Sequence, residues 1–289
     1  MFGICSFGPE SAIIKKRYNF HSLELKTVQI NRPMLKIDAK TRIARSKPSA
    51  LVMAMILIAI YLVLEMLIPG VLGLNNIPID LPESITSYDA YMAAMDQAME
   101  QIDAFFRSYR PSAIALVLTA LLLLMHEMLR VGFQIYALHI ARDEKADFGN
   151  LLDGFAMFGR VFVLLVLQWV IVCVCALAFL LPGIVMSYRY RQALYLLVER
   201  PEYSPVQCLR ESGKLMKGRK LELFVLDLSF LGWVLVQDLL PYIGTFLGVW
   251  IMPYMAITYA RYFTLLAGPR TTPDGKPFTD GEFTDLPDT

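Results

Sequence analysis

Charge is scarce in this chain: 18% of its 289 residues are Asp, Glu, Lys or Arg, against about 25% in soluble domains. Histidine is rarer, with three copies, and the four cysteines, Cys5, Cys173, Cys175 and Cys208, show no framework spacing. These shortages exclude several chemistries. The HEMLR stretch at 126–130 opens like the zinc-protease motif HExxH, but Arg130 stands where the second histidine is needed, and neither His21 nor His139 can stand one turn from His126. There is no GxSxG, no phosphate-binding glycine loop and no CxxC. No metal, cofactor or structural disulfide is expected, and the protein is read as a non-enzyme. A net charge of +1 provides no global field for nucleic acid.

What the chain has is apolar residues, 56% of the total, gathered into blocks near the ~20 residues that a helix needs to cross ~30 Å of hydrocarbon. They run at 49–68, 111–135, 159–181, 184–197, 221–240 and 243–267. The expectation is an all-α polytopic bundle with six transmembrane helices. The third and fourth blocks, taken as one helix, would reach ~60 Å, about twice the hydrocarbon thickness. Pro182-Gly183 is therefore read as a break.

Loop charge tests the count, because Lys and Arg stay on the cytoplasmic side. Residues 1–48 form a basic cytoplasmic segment, with Lys15, Lys16, Arg17, Lys26, Arg32, Lys36, Lys40, Arg42, Arg45 and Lys47 against Glu10, Glu24 and Asp38. The opening carries no secretory pattern, so the first crossing is read as an uncleaved anchor, with Met34 as the natural start. The insert at 75–110 holds Asp80, Glu83, Asp89, Asp96, Glu100 and Asp103 against Arg107 and Arg110, and is placed outside. After the fourth block come Arg200, Arg210, Lys214, Lys217, Arg219 and Lys220, which belong inside. Six crossings of a bacterial cytoplasmic membrane, both termini inside, satisfy every loop of the 49–268 membrane domain.

Two interfacial helices are expected. In the outer insert, Tyr88, Tyr91, Met95, Met99, Ile102 and Phe106 recur at helical spacing, with Asp96, Glu100, Asp103 and Arg107 on the other face. It is read as a cap on the membrane surface or the bundle; a ligand-sensing lid is the other reading. At 204–218, Ser204 suits an N-cap, Pro205 the first turn and Gly218 the stop. There Val206, Leu209 and Met216 are expected to face acyl chains, while Arg210, Lys214 and Lys217, continued by Arg219 and Lys220, meet anionic headgroups; the plainer reading is a basic connector. The tail at 269–289, rich in Pro, Gly, Thr and Asp, is expected to be disordered.

An ionisable group at membrane depth is costly unless paired or hydrated, so each marks a candidate site. At ~1.5 Å per residue, Glu65 lies ~22 Å above the inner end of its span and Arg189 ~9 Å below the outer end of the fourth. Glu65 is therefore expected to meet Arg189 or Arg191, beside Tyr188 and Tyr190, in the outer third. Glu127 and Arg130 are expected to meet Asp227 in the inner third. Arg189 and Arg191, about 200° apart on a helix, cannot both be satisfied by one carboxylate. One is left to snorkel or to receive an anion, bidentately for a phosphate or carboxylate headgroup. The alternative makes both arginines ion pairs that fix helix register, with Tyr188, Tyr190 and Tyr195 as interfacial anchors.

The run LPGIVMSYRYRQALYLLVERPEYSP, followed by CLRESGKLMKGRKLELFVLDLSFLGW and VWIMPYMAITYARYF, resembles the domain-of-unknown-function 975 family of bacterial integral membrane proteins. The resemblance covers roughly the C-terminal half. The Pro-Gly break, arginine-bearing helix and basic helix are also similar to the membrane domain attached to some glycerophosphodiester phosphodiesterases. Their catalysis resides in a separate soluble barrel of roughly 250 residues, which has no counterpart here. The resemblance implies architecture more than activity. Three functions stay open: binding or moving an anionic amphiphile with Arg189 and Arg191 as headgroup contacts; a structural or assembly component of the envelope acting through a protein partner; and an intramembrane lipid-modifying enzyme using Glu127 or Asp227.

Overall fold

A computed structural model describes residues 30–77, 79–80 and 87–269, and is all-helical over these residues. Cys5 and the tail beyond 269 lie outside the described residues. The first helix, α1 (Arg32–Arg45), starts where the Asn31 side chain accepts from the Met34 N–H and Pro33 occupies the first turn, so residues ahead of Met34 already belong to the folded unit. It buries Leu35, Ala39 and Ile43, one per turn. The segment read as a basic tail thus ends in a docked helix.

Next come α2 (Ala50–Leu72), stopped by Gly73 in the left-handed conformation, and α3 (Tyr88–Ser108), capped by Ser87. Ser112 caps α4 (Ala113–Arg142), which ends on Asp143 at φ 61°. A 3-10 turn, Phe148–Leu151, and a short helix, Asp153–Ala156, lie back on α4. Then follow α5 (Phe158–Ala178), α6 (Leu180–Tyr190), α7 (Ala193–Glu199), α8 (Pro205–Leu215), α9 (Lys220–Leu239) and α10 (Pro241–Ala267). The break expected at Pro182-Gly183 falls at Phe179, whose backbone is extended. Pro182 then sits in the first turn of α6, where its missing N–H leaves no hydrogen bond unmade.

The hub is α10, which packs on α1, α2, α4 and α9. Gly244 and Gly248 let it approach Gln237 of α9, and Gly248 also faces Ile58 of α2. It stays helical through Pro253. α5 packs on α6, α7 and α8. At one end of the bundle Arg142 joins the last turns of α4, α7 and α10, and Arg160 at the start of α5 donates to the Tyr203 carbonyl at 2.8 Å. At the other end the Tyr109 hydroxyl donates to Leu72 at 2.5 Å. The chain from Arg160 to Tyr203 therefore goes out along α5 and returns through α6 and α7.

Three helices are long and apolar enough to cross a membrane: α2, α4 and α5. Their outward faces are apolar and bare; Leu177 is 88% exposed and Trp169 71%. Such a surface is tolerated when hydrocarbon rather than water covers it. The chain is built as a membrane protein. Of the other three expected crossings, the fourth is divided between α6 and α7, α9 carries Lys220, Glu222 and Asp227, and α10 carries Pro253 and Arg261.

α8 starts on a complete capping box: Ser204 accepts from the Gln207 N–H and the Gln207 amide oxygen accepts from the Ser204 N–H at 2.7 Å. Ser204→Ala is expected to cost about 1 kcal/mol. Hydrogen exchange of the α8 amides checks this; faster exchange confined to residues 204–209 is the expected result.

Candidate functional site

The basic helix α8 decides what surrounds the arginines. Cys208, Leu209, Ser212 and Met216 form its buried face against the hairpin, while Arg210, Lys214 and Lys217 are exposed. Leu209 and Met216 were expected to meet acyl chains and meet protein instead; only Val206 remains bare. Lys214 pairs with Glu211 at 2.6 Å. Arg219 is largely covered and lies 3.6 Å from Glu222, and Lys220 is half-buried, so Arg210 and Lys217 are the freer cations on this face. Burial pushes the Cys208 thiol up to about 11, which keeps it an inert packing group.

α6 brings Arg189 onto this helix. The Ser212 hydroxyl donates to the Arg189 carbonyl at 2.8 Å, and a Cβ on Gly213 would stand 2.7 Å from Arg189 Nε. The guanidinium therefore lies across the one bare position of α8. Arg210, three residues before Gly213, lies on the same face of α8, and exposed Lys217 follows two residues after the helix ends. Arg189 is exposed, sits 5.8 Å from the Tyr190 ring centroid and has no carboxylate partner among the described residues.

Arg191 turns the other way, as its angular offset requires. Its Nη1 lies 3.5 Å from Asp227 Oδ2 of α9, and its guanidinium stands over the Tyr259 ring of α10 at 5.0 Å. The same carboxylate oxygen accepts from Tyr188 at 2.8 Å. Oδ1 of Asp227 is buried without a hydrogen-bond partner. Asp227 thus ties α9 to the end of α6 through one ion pair and one phenol, and Arg191 extends the tie to α10 through Tyr259.

Two expected pairings are corrected. Glu65 does not meet either arginine; it is exposed on α2 and forms no ion pair among the described residues. Asp227 does not join Glu127 and Arg130, which pair with each other on α4 at 2.6 Å, beside His126 and the Tyr61 ring. The error is one of depth. The reckoning places Arg189, and Arg191 with it, from the outer end of a span read as of full thickness, yet Arg191 lies only about eight residues, ~12 Å, from the end of α7. Asp227 lies seven residues, ~10 Å, from the start of α9. In so short a return segment the outer and inner thirds overlap, and the two groups share a level.

Sequence reasoning missed Gly213 and Tyr259. Gly213 carried a signal: a glycine inside an amphipathic helix costs about 1 kcal/mol relative to alanine and invites a reason, here the guanidinium above it. Tyr259 carried none, since tyrosines in the last span also serve as interfacial anchors. The buried pair of Arg142 and Glu199 was also missed, because both sit at block ends and read as loop charge.

A family described as "Protein of unknown function (DUF975)" matches residues 163–268. No curated protein and no solved structure matches the chain. The matched stretch contains α6, α7, α8, α9 and α10 and most of α5. Residues 163–268, which carry the Arg189 and Asp227 contacts but not the Glu127–Arg130 pair, are thus the part of the chain that is similar to the DUF975 family, whose function is unknown.

Proposed function

We propose that this protein is a six-crossing component of a bacterial cytoplasmic membrane, both ends cytoplasmic, that binds or moves an anionic amphiphile without chemical turnover. Arg189 is the headgroup contact, with Arg210 and Lys217 beside it and Tyr190 packing its guanidinium. The observation that carries the reading is the asymmetry of the two arginines: Arg191 is held by Asp227 and Tyr259, whereas Arg189 lies over Gly213 with no acid among the described residues to neutralise it. An exposed guanidinium beside two further cations at the membrane boundary selects phosphate or carboxylate, for which its planar fork is suited.

Native mass spectrometry of the detergent-purified protein tests this. Wild type is expected to retain an anionic lipid, and folded Arg189→Ala to bind it at least about tenfold more weakly, as loss of a charge-assisted hydrogen bond implies. Arg191→Ala is expected to keep the lipid and lose thermal stability. Equal retention by wild type and Arg189→Ala would overturn the reading.

A second reading has one observation in its favour. The apolar side of α3 is uncovered, with Tyr88 75%, Met99 63% and Phe106 51% exposed, and this face suits a protein partner in the envelope. A photo-crosslinking residue at Met99 distinguishes the two: one defined protein adduct in cells supports an assembly role, and lipid adducts alone oppose it.

A further inference from the structure

Three aromatic rings line the seam of α9 and α10, with Phe230 in contact with both tyrosines. Phe230 meets Tyr254 edge-on at 5.2 Å between centroids and Tyr259 at 6.0 Å. Each ring has a cation over it: Lys36 Nζ is 4.2 Å from the Phe230 centroid, Lys40 Nζ 5.4 Å from Tyr254, and the Arg191 guanidinium 5.0 Å from Tyr259. Significant cation–π contacts occur about once per 70–80 residues, so three on one contiguous wall set this wall apart.

Lys36 is the best seated of the three. Its ammonium also donates to the Ser229 carbonyl at 3.3 Å, next to a Phe230 side chain that is almost fully buried. A ring face and a carbonyl converging on one ammonium are the elements of an organic-cation site. Yet lysine is a poor occupant. Burial, with Lys40 one turn away, holds its pKa below the usual lysine value. Lys36 and Lys40 are like charges at i and i+4 on one helix, an arrangement that opposes helix formation. A primary ammonium is a compact, strongly hydrated charge, whereas alkyl groups on nitrogen lower the cost of leaving water.

We propose that the Phe230–Tyr254–Tyr259 wall is a binding site for alkylammonium groups, occupied in this state by Lys36 and Lys40 of α1, which acts as a displaceable internal ligand. The ammonium is that of a free organic cation or of a choline-type headgroup. The inference does not depend on the anion reading, since Arg189 faces α8 and the wall faces α1.

Hydrogen exchange of the α1 amides in the full-length protein, measured in tetramethylammonium chloride and in sodium chloride at equal ionic strength, tests it. Tetramethylammonium is expected to accelerate α1 exchange about tenfold over sodium. Lys36→Met, which removes the competing charge from the ring, is expected to bring the half-maximal tetramethylammonium concentration down at least threefold, and Phe230→Leu to abolish the difference between the salts. Dihexanoylphosphatidylcholine below its micellar concentration supplies the second arm. An effect at concentrations well below those of tetramethylammonium identifies a lipid headgroup as the ligand, and an effect only at equal concentrations identifies a free cation. Identical exchange in the two salts, for both wild type and Lys36→Met, would overturn the proposal.

Discussion

Arg142→Ala is expected to lower stability by ~3–5 kcal/mol, the usual cost of removing one partner from a buried ion pair. Arg142 and Glu199 are 11% and 5% exposed. Nε of the arginine donates to Glu199 Oε1 at 2.6 Å, Nη1 donates to the Gly268 carbonyl at 2.6 Å, and the guanidinium lies 6.0 Å from the Phe263 centroid. One side chain thus fastens the last turns of α4, α7 and α10. Its removal leaves the Glu199 carboxylate buried beside an apolar core, and that penalty is larger than the net worth of the pair. The double variant Arg142→Met with Glu199→Leu is accordingly expected to recover much of the loss. The midpoint of unfolding in mixed detergent micelles measures both. A single variant as stable as wild type, or a double variant no better than the single, would show that the pair does not hold this end of the bundle.

Gly132→Ala is expected to be of similar size and to act through geometry alone. A Cβ there would stand 2.1 Å from the Leu151 carbonyl oxygen and 2.8 Å from that of Asn150, both backbone atoms. The reciprocal contact is as close, because a Cβ on Gly154 would stand 2.3 Å from the Met128 carbonyl oxygen. Two backbones touch here through paired glycines, and no rotamer change relieves the clash. Overpacking a well-filled site costs ~1–3 kcal/mol when side chains can yield, so the upper end of that range is expected where only backbone can move. Gly149→Ala is the control, since its added Cβ would meet nothing within 4 Å. Unfolding midpoints that fall for Gly132→Ala and stay level for Gly149→Ala are the expected pattern; equal shifts would mean that the turn at 148–156 does not pack on α4 as described.

The two proposals place opposite chemistries on separate faces. Arg189 with α8 offers positive charge to an anion, and the aromatic wall under α1 offers ring faces to a cation. The Asp227 node lies between them: its carboxylate holds Arg191, which in turn covers Tyr259. The node gives α6 a fixed rotation, and that rotation delivers Arg189 to Gly213.

The helical character, the apolar blocks, the two amphipathic segments and the N-cap of α8 were legible in the sequence, because each rests on local rules: periodicity, cap chemistry and the length of an apolar run; the stop of α8 was not, since the helix ends at Leu215 rather than at Gly218. So was the principle that Arg189 and Arg191 cannot share a partner, which follows from 100° per residue. The partners themselves were not legible. Which carboxylate meets Arg191 depends on the length of a return segment broken at Phe179, and a few residues' error in that length moves a charge from one leaflet to the other. α1 shows the same limit: ten basic residues in the first 48 read as a basic cytoplasmic segment with no docked helix foreseen, yet one turn-spaced stripe of Leu35, Ala39 and Ile43 docks the helix and carries Lys36 and Lys40 onto the rings. Local sequence fixes what each segment becomes; only the packing of α6, α8, α9 and α10 around one another decides which charges are spent on holding the fold and which are left for a ligand.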